Sequence, residues 1–165
     1  MVDGYNIIYA WPHLDKMKNE NLEHARDKLV DTLVNFAAHN NSRIFVVFDA
    51  HQVKSGIEHT EEKNGVRVIY TREGETADAV IEKMVGELVD LGRVYVVTSD
   101  YDEQRFVFGR GAYRLTPRDL QQRIEQCRKK EKKWSEKMSP ADNYLEDRLA
   151  EHMREMLEQW RRRKK

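Results

Sequence analysis

The sequence predicts an α/β fold built on a mostly parallel sheet, and two observations carry that prediction. Apolar β-branched or aromatic runs alternate along the chain with segments whose apolar residues recur every three to four positions, the pattern of strand–helix–strand crossovers. Three of the runs stop at an acid: Val2-Asp3, Phe45-Val46-Val47-Phe48-Asp49 and Tyr95-Val96-Val97-Thr98-Ser99-Asp100. The carboxyl ends of parallel strands border one crevice, so these acids are expected at a common edge, joined by Asp78 from the helix start Thr76-Ala77-Asp78.

The elements follow in order. A strand reaching Asp3 leads into a short helix from Asn6 to Trp11, which Pro12 is expected to close. Asn21 is a suitable N-cap for a helix to about Asn40, whose Leu22, Ala25, Leu29, Leu33 and Phe36 form a 3.6-period stripe. Asn40-Asn41-Ser42 ends it, and Arg43 to Asp49 reads as the next strand. His51 to Gly65 is polar and closes on the turn signal Asn64-Gly65, so a surface loop is expected there, followed by a strand from Val66 to Tyr70.

Thr76 caps a helix whose Ala77, Val80, Ile81, Met84, Val85, Leu88 and Leu91 should face the sheet, with Gly92 ending it before the strand Val94 to Thr98. A helix from Tyr101 to Phe108 and a short run from Ala112 to Leu115 come next. Thr116-Pro117-Arg118-Asp119 combines a cap, a first-turn proline and an acid at the third helical position, and so opens a highly charged helix to about Trp134. Ser139-Pro140-Ala141-Asp142 repeats that signal before a last helix with an apolar face of Tyr144, Leu145, Leu149, Met153, Met156, Leu157 and Trp160. The two tail helices are expected to form a C-terminal helical hairpin packed on the body.

Bulk properties narrow the function classes. A chain of 165 residues with 39% apolar content suits one domain with a real core. Apolar runs are short and Met1-Val2-Asp3-Gly4 has no secretory character, so a cytoplasmic protein without membrane association is expected. The single Cys127 provides no internal disulfide and no thiolate zinc site, and the 6 histidines show no metal-binding spacing. Net charge is zero but uneven: residues 1–117 hold 14 Lys and Arg against 19 Asp and Glu, whereas residues 118–165 hold 15 against 10. The basic end Arg161-Arg162-Arg163-Lys164-Lys165 is either a solvated helix terminus or a contact to a phosphate backbone.

Asp3, Asp49, Asp78 and Asp100 are the candidate catalytic and metal-ligating residues. Singly, each has an ordinary reading as a turn, strand-end or cap residue; together they form a set of hard oxygen donors that suits Mg²⁺ or Mn²⁺, with substrate phosphate completing the shell. Such an ion activates water and neutralises charge on a phosphodiester, which points to phosphoryl-transfer hydrolysis. Asn6 and Ser99, short polar residues beside the acids, are expected to orient a carboxylate or a bound water. His51 reads as a loop residue, and Tyr5, Trp11, Tyr101 and Phe106 as core aromatics or base-stacking residues.

A family resemblance rests on these residues. Asp3-Gly4-Tyr5-Asn6 with Ala10-Trp11-Pro12, then Val46-Val47-Phe48-Asp49-Ala50, Glu75-Thr76-Ala77-Asp78, and Thr98-Ser99-Asp100-Tyr101-x-Glu103-Gln104 with Gly111-Ala112, resemble the YacP-like NYN domain, a branch of the PIN-like nucleases. The motifs run in order from Met1 to about Leu120. The resemblance implies a PIN-like three-layer α/β/α fold in residues 1–120, with residues 121–165 as a basic helical extension on the same domain. It also implies metal-dependent endoribonuclease activity with Asp3, Asp49, Asp78 and Asp100 as the acids. Within the family the chain is most similar to a bacterial ribosome-associated endonuclease that cuts mRNA at the A site, so mRNA and the ribosome are the expected partners and DNA is not. One departure stands out: the family pattern has a full first strand before Asp-Gly-Tyr-Asn, whereas only Met1 and Val2 precede it here. A non-catalytic RNA- or ribosome-binding factor on the same fold is the alternative, separated by presence or absence of metal-dependent RNA cleavage.

Overall fold

The computed structural model describes residues 1–49, 59–99 and 109–137, together with Met153 and Met156. In chain order the elements are β1 (Val2–Asp3), α1 (Gly4–Ala10), α2 (Pro12–Glu20), α3 (Leu22–Asn40), β2 (Ile44–Phe48), β3 (His59–Lys63), β4 (Val66–Tyr70), α4 (Ala77–Leu88), a 3₁₀ turn (Val89–Leu91), β5 (Tyr95–Val97), β6 (Tyr113–Leu115) and α5 (Pro117–Lys137). The expected helix from Tyr101 to Phe108, the last helix after Ser139 and the basic end lie outside the described residues, apart from Met153 and Met156, which are helical. The chain divides into two compact units, Met1–Cys127 and Arg128–Lys165.

In the first unit the six described strands form one sheet in the order β3-β4-β2-β1-β5-β6. All pairings are parallel except β3 with β4. Although β1 has only two residues, it is central: Val2 pairs with Val46 on one side and Val97 on the other, and Asp3 pairs with Val47. The Val97 N–H donates to the Met1 carbonyl at 2.9 Å, extending that ladder by one bond. Two residues suffice because both neighbours are already fixed by crossover helices.

Side chains alternate across the strands and build two cores. Val2, Val46, Phe48, Val68 and Val97 meet Ile7, Ile8, Leu14, Leu29, Leu33, Leu120 and Ile124, so α1, α2, α3 and the start of α5 cover one face. Met1, Val47, Val94 and Val96 meet Ala77, Ile81 and Val85 of α4 on the other. The result is the expected three-layer α/β/α arrangement. Leu91 departs from the expected α4 face and is 81% exposed, because the helix tightens into the 3₁₀ turn at Val89 and rotates it away.

Two other local expectations are corrected. The first helix ends before Pro12 as expected, but Pro12 also opens a second, unexpected helix, α2, at a first-turn position, where its missing N–H costs nothing. Trp11 is the joint, extended at φ −97° and ψ 113°, and its buried indole N–H donates to the Pro117 carbonyl at 3.0 Å. The polar stretch before Gly65 is not all loop, since β3 pairs with β4 as a hairpin across Asn64-Gly65. Asn64 and Gly65 both have positive φ (45° and 86°), the requirement of a twisted two-residue hairpin turn.

The predicted caps form. Asn21 Oδ1 accepts from the His24 N–H at 3.2 Å, and Thr76 Oγ1 accepts from the Ala79 N–H at 3.2 Å. At α5, Thr116 Oγ1 accepts from the Asp119 N–H while the Asp119 carboxylate accepts from both the Thr116 N–H and its hydroxyl, a closed capping box. These bonds hold Asp119 below the usual carboxylate range.

Candidate active site

Asp3 sits where β1 becomes α1. Its Oδ1 accepts from the Asn6 N–H at 3.1 Å, making it the N-cap of α1. The next residue must be glycine for a steric reason. A Cβ at Gly4 would lie 2.8 Å from Cζ of Phe48 and closer still to its Cδ1 and Cε1, so the missing side chain lets the helix start press onto the Phe48 ring. Phe48 is fully buried at the end of β2, immediately before Asp49.

Strand alternation then decides on which side the acids emerge. Val2 and Phe48 face the core under α1 and α3, which turns Asp3 and Asp49 toward the α4 side of the sheet. Asp78 lies in the first turn of α4, on that same side. Burial chiefly, together with the negative charges of Asp78 and Asp49, pushes the Asp3 carboxyl up to about 6 against the lowering effect of the Asn6 and Tyr5 backbone N–H groups. Asp3, Asp49 and Asp78 are all half-buried. Among the described residues, no three of His, Cys, Asp and Glu stand close enough to hold a metal ion. The fourth acid of the expected set, Asp100, lies outside the described residues, as do His51, Tyr101, Phe106 and Arg161 to Lys165.

Asn6 and Ser99 form one unit. Asn6 Oδ1 accepts from the Ser99 N–H at 3.1 Å and from the Ser99 hydroxyl at 2.7 Å, and its amide nitrogen reaches Thr98 Oγ1 at 3.5 Å. The first turn of α1 is therefore tied to the residue preceding Asp100. Tyr5 and Trp11 are core residues, 5% and 2% exposed. The sequence reading missed Arg26, one turn into α3, whose guanidinium donates to the Tyr5 hydroxyl at 3.2 Å. Burial pushes that hydroxyl up, opposed by Arg26 and reinforced by the nearby Tyr9 and Asp49. The only signal was a cation near an otherwise apolar helical stripe.

Known proteins resemble this chain along most of its length. The YacP-like NYN domain matches the chain over residues 1–162. The chain belongs to the YacP-like NYN domain family. It is 38% identical to the YacP protein of Bacillus subtilis (strain 168) over 163 residues, covering 98% of this chain and 95% of that protein. The crystal structure of Rae1 (YacP) from Bacillus subtilis superposes with a TM-score of 0.70 at 36% identity, covering 98% of this chain and 92% of that one. A crystal structure of the same protein with one tryptophan replaced by leucine gives 0.74 at 36% identity over 90% and 87%. The fold is thus PIN-like, and the family is one of PIN-like nucleases with RNA-related function. No helix among the described residues is long and apolar enough to cross a membrane.

Proposed function

We propose that this protein is a metal-dependent endoribonuclease that cleaves mRNA, acting with the translating ribosome. The observation that supports it most is the raised Asp3 carboxyl, held at the end of the central strand with the charges of Asp49 and Asp78 acting on it. An arrangement that opposes its own ionisation is stabilised by a cation, and carboxylate oxygens suit a hard one. No three of the described acids stand close enough to hold an ion by themselves, so Mg²⁺ or Mn²⁺ would be held by Asp3, Asp49 and Asp78 only together with Asp100 and the substrate phosphate. When bound, the ion supplies water activation and charge neutralisation for phosphodiester hydrolysis.

The protein's own contribution is positioning. Gly4 admits the close approach that aims Asp3, the central β1 ladder fixes its backbone, and Asn6 ties down the residue before Asp100. Ribosome association rests on the family relationship and on the charge distribution. The described part of α5 presents Arg128, Lys129, Lys130, Lys132 and Lys133 to solvent, and the basic end Arg161 to Lys165 would add further phosphate contacts. The location this implies is cytoplasmic.

The test is cleavage of mRNA on translating ribosomes beside the same RNA alone, each with Mg²⁺ and with chelator. Chelator-sensitive cuts on ribosomes are expected. RNA binding without cleavage under every condition would leave a non-catalytic binding factor.

A further inference from the structure

A row of aromatic rings crosses the sheet at the strand ends that carry Asp3 and Asp49, on the α1 and α3 side, opposite the face toward which those acids turn, and no step of the chemistry above uses it. His59 of β3, Tyr70 of β4 and Phe48 of β2 are register neighbours on adjacent strands. The His59 and Tyr70 rings stack at 4.2 Å with 16° between planes, and Tyr70 and Phe48 stack at 5.5 Å. Phe48 meets the edge of Tyr5 at 5.2 Å, and Tyr5 stacks with Tyr9 at 6.4 Å. The middle of the row, Phe48 and Tyr5, is core. Its ends are not: Tyr9 is 46% exposed and the His59 side chain 39%.

Cations lie beside the row at its Tyr9 end and at its middle, whereas the His59 end faces Glu61 at 3.4 Å. Lys18 Nζ lies 4.2 Å from the centre of the Tyr9 ring, and the Arg26 guanidinium lies 5.8 Å from the centre of the Tyr70 ring while donating to Tyr5. The row also adjoins the acids, since Asp49 follows Phe48 directly and its charge acts on the Tyr5 hydroxyl. Exposed rings held rigid by a buried row, beside cations, and next to a carboxylate set that repels phosphate without a metal, match what single-stranded nucleic acid requires: π-faces for bases and cations for the backbone. An acidic peptide would use the cations but not the rings.

We propose that Tyr9 and His59 are stacking platforms for nucleobases of single-stranded RNA flanking the cleaved bond, with Lys18 and Arg26 meeting its phosphates. This rests on the endoribonuclease reading for the identity of the strand.

The experiment uses the full chain and short RNA oligonucleotides with 2-aminopurine at successive positions, carrying non-hydrolysable linkages so that binding is read apart from cleavage. Stacking quenches the probe. Quenching at two separate positions is expected, with Tyr9→Ala abolishing one and His59→Ala the other, and about fivefold to a hundredfold weaker binding for each lost platform. Tyr9→Phe and His59→Phe should retain the quench, which separates stacking from loss of fold. Unchanged quenching and affinity in both alanine variants, while the wild type cleaves RNA, overturns the platforms and leaves the nuclease standing. Position-specific quenching without any metal-dependent cleavage supports the platforms and removes the nuclease. No binding by the wild type overturns the platforms.

Discussion

Asn6 and Ser99, 93 positions apart in sequence, are joined by two hydrogen bonds to a single oxygen: Asn6 Oδ1 accepts the Ser99 N–H at 3.1 Å and the Ser99 hydroxyl at 2.7 Å. The bond pair links the helix that starts at the Asp3 cap to the strand end that precedes Asp100. Asn6→Ala removes the shared acceptor and leaves the Ser99 N–H to solvent. Cleavage should fall about 10- to 100-fold, the usual cost of losing a group that orients a metal ligand, with only a small loss of stability. Ser99→Ala keeps the backbone bond and should lose less. Equal activity of all three proteins would show that this link does not position the acids.

Gly4→Ala tests the close approach at Phe48. The added methyl overlaps the ring, and because Phe48 is fully buried the ring cannot swing away, so destabilisation of about 1–3 kcal/mol is expected from overpacking. Gly4→Ala combined with Phe48→Leu should recover part of the loss, measured by denaturant unfolding. No recovery would mean that the constraint is backbone conformation and not ring contact.

Asp3 makes stability depend on pH in a defined direction. Its folded-state carboxyl is raised to about 6 from an ordinary value of 3.8, so between those values the folded chain keeps a proton that the unfolded chain has released. Stability from this group is fully present below about pH 4, falls as pH rises, and is lost above about pH 6. The loss is about 3 kcal/mol at most. Asp3→Asn preserves the N-cap, since asparagine caps as well as aspartate, and should therefore be more stable than wild type at pH 7.5 in chelator, with the advantage vanishing near pH 4. Mg²⁺ should stabilise the wild type more than the variant. A pH-independent difference would contradict the raised carboxyl.

The basic end makes a separate prediction. If Arg161, Arg162, Arg163, Lys164 and Lys165 meet RNA phosphates, deleting the residues after Trp160 should flatten the log–log salt dependence of ribosome binding by somewhat less than one unit per contact, about 0.7 to 0.9. An unchanged slope would make this end a solvated terminus and shift recognition to other surfaces such as the exposed cations of α5.

Much of this architecture was legible in the sequence because its signals are local. The caps Asn21, Thr76 and Thr116, the periodic stripe of α3 and the β-branched runs each declare one element, and each formed. What escaped depends on partners distant in sequence. The strand His59–Lys63 has no apolar alternation, because an edge strand with both faces largely wet needs none; its pairing comes from the Asn64-Gly65 turn and from β4. The helix α2 escaped because proline both ends and starts helices, and here Pro12 does both, with Trp11 as the extended joint locked to Pro117. Two residues of β1 proved enough to seat Asp3 in the centre of the sheet. The aromatic row was not legible, since its members come from β2, β3, β4 and α1 and meet only through sheet register.

If Asp3, Asp49, Asp78 and Asp100 cleave RNA with a divalent metal, removing one acid or the metal must silence the protein. Wild type, Asp78→Asn and Asp100→Asn are assayed on the same mRNA with translating ribosomes, with Mg²⁺ or with chelator, each variant first shown to unfold cooperatively at a midpoint at or above that of wild type. Each replacement keeps side-chain shape and removes one anionic ligand, so both variants should be inactive while remaining folded, and chelator should silence the wild type. Full Mg²⁺-dependent cleavage by both variants would place the chemistry elsewhere on the fold.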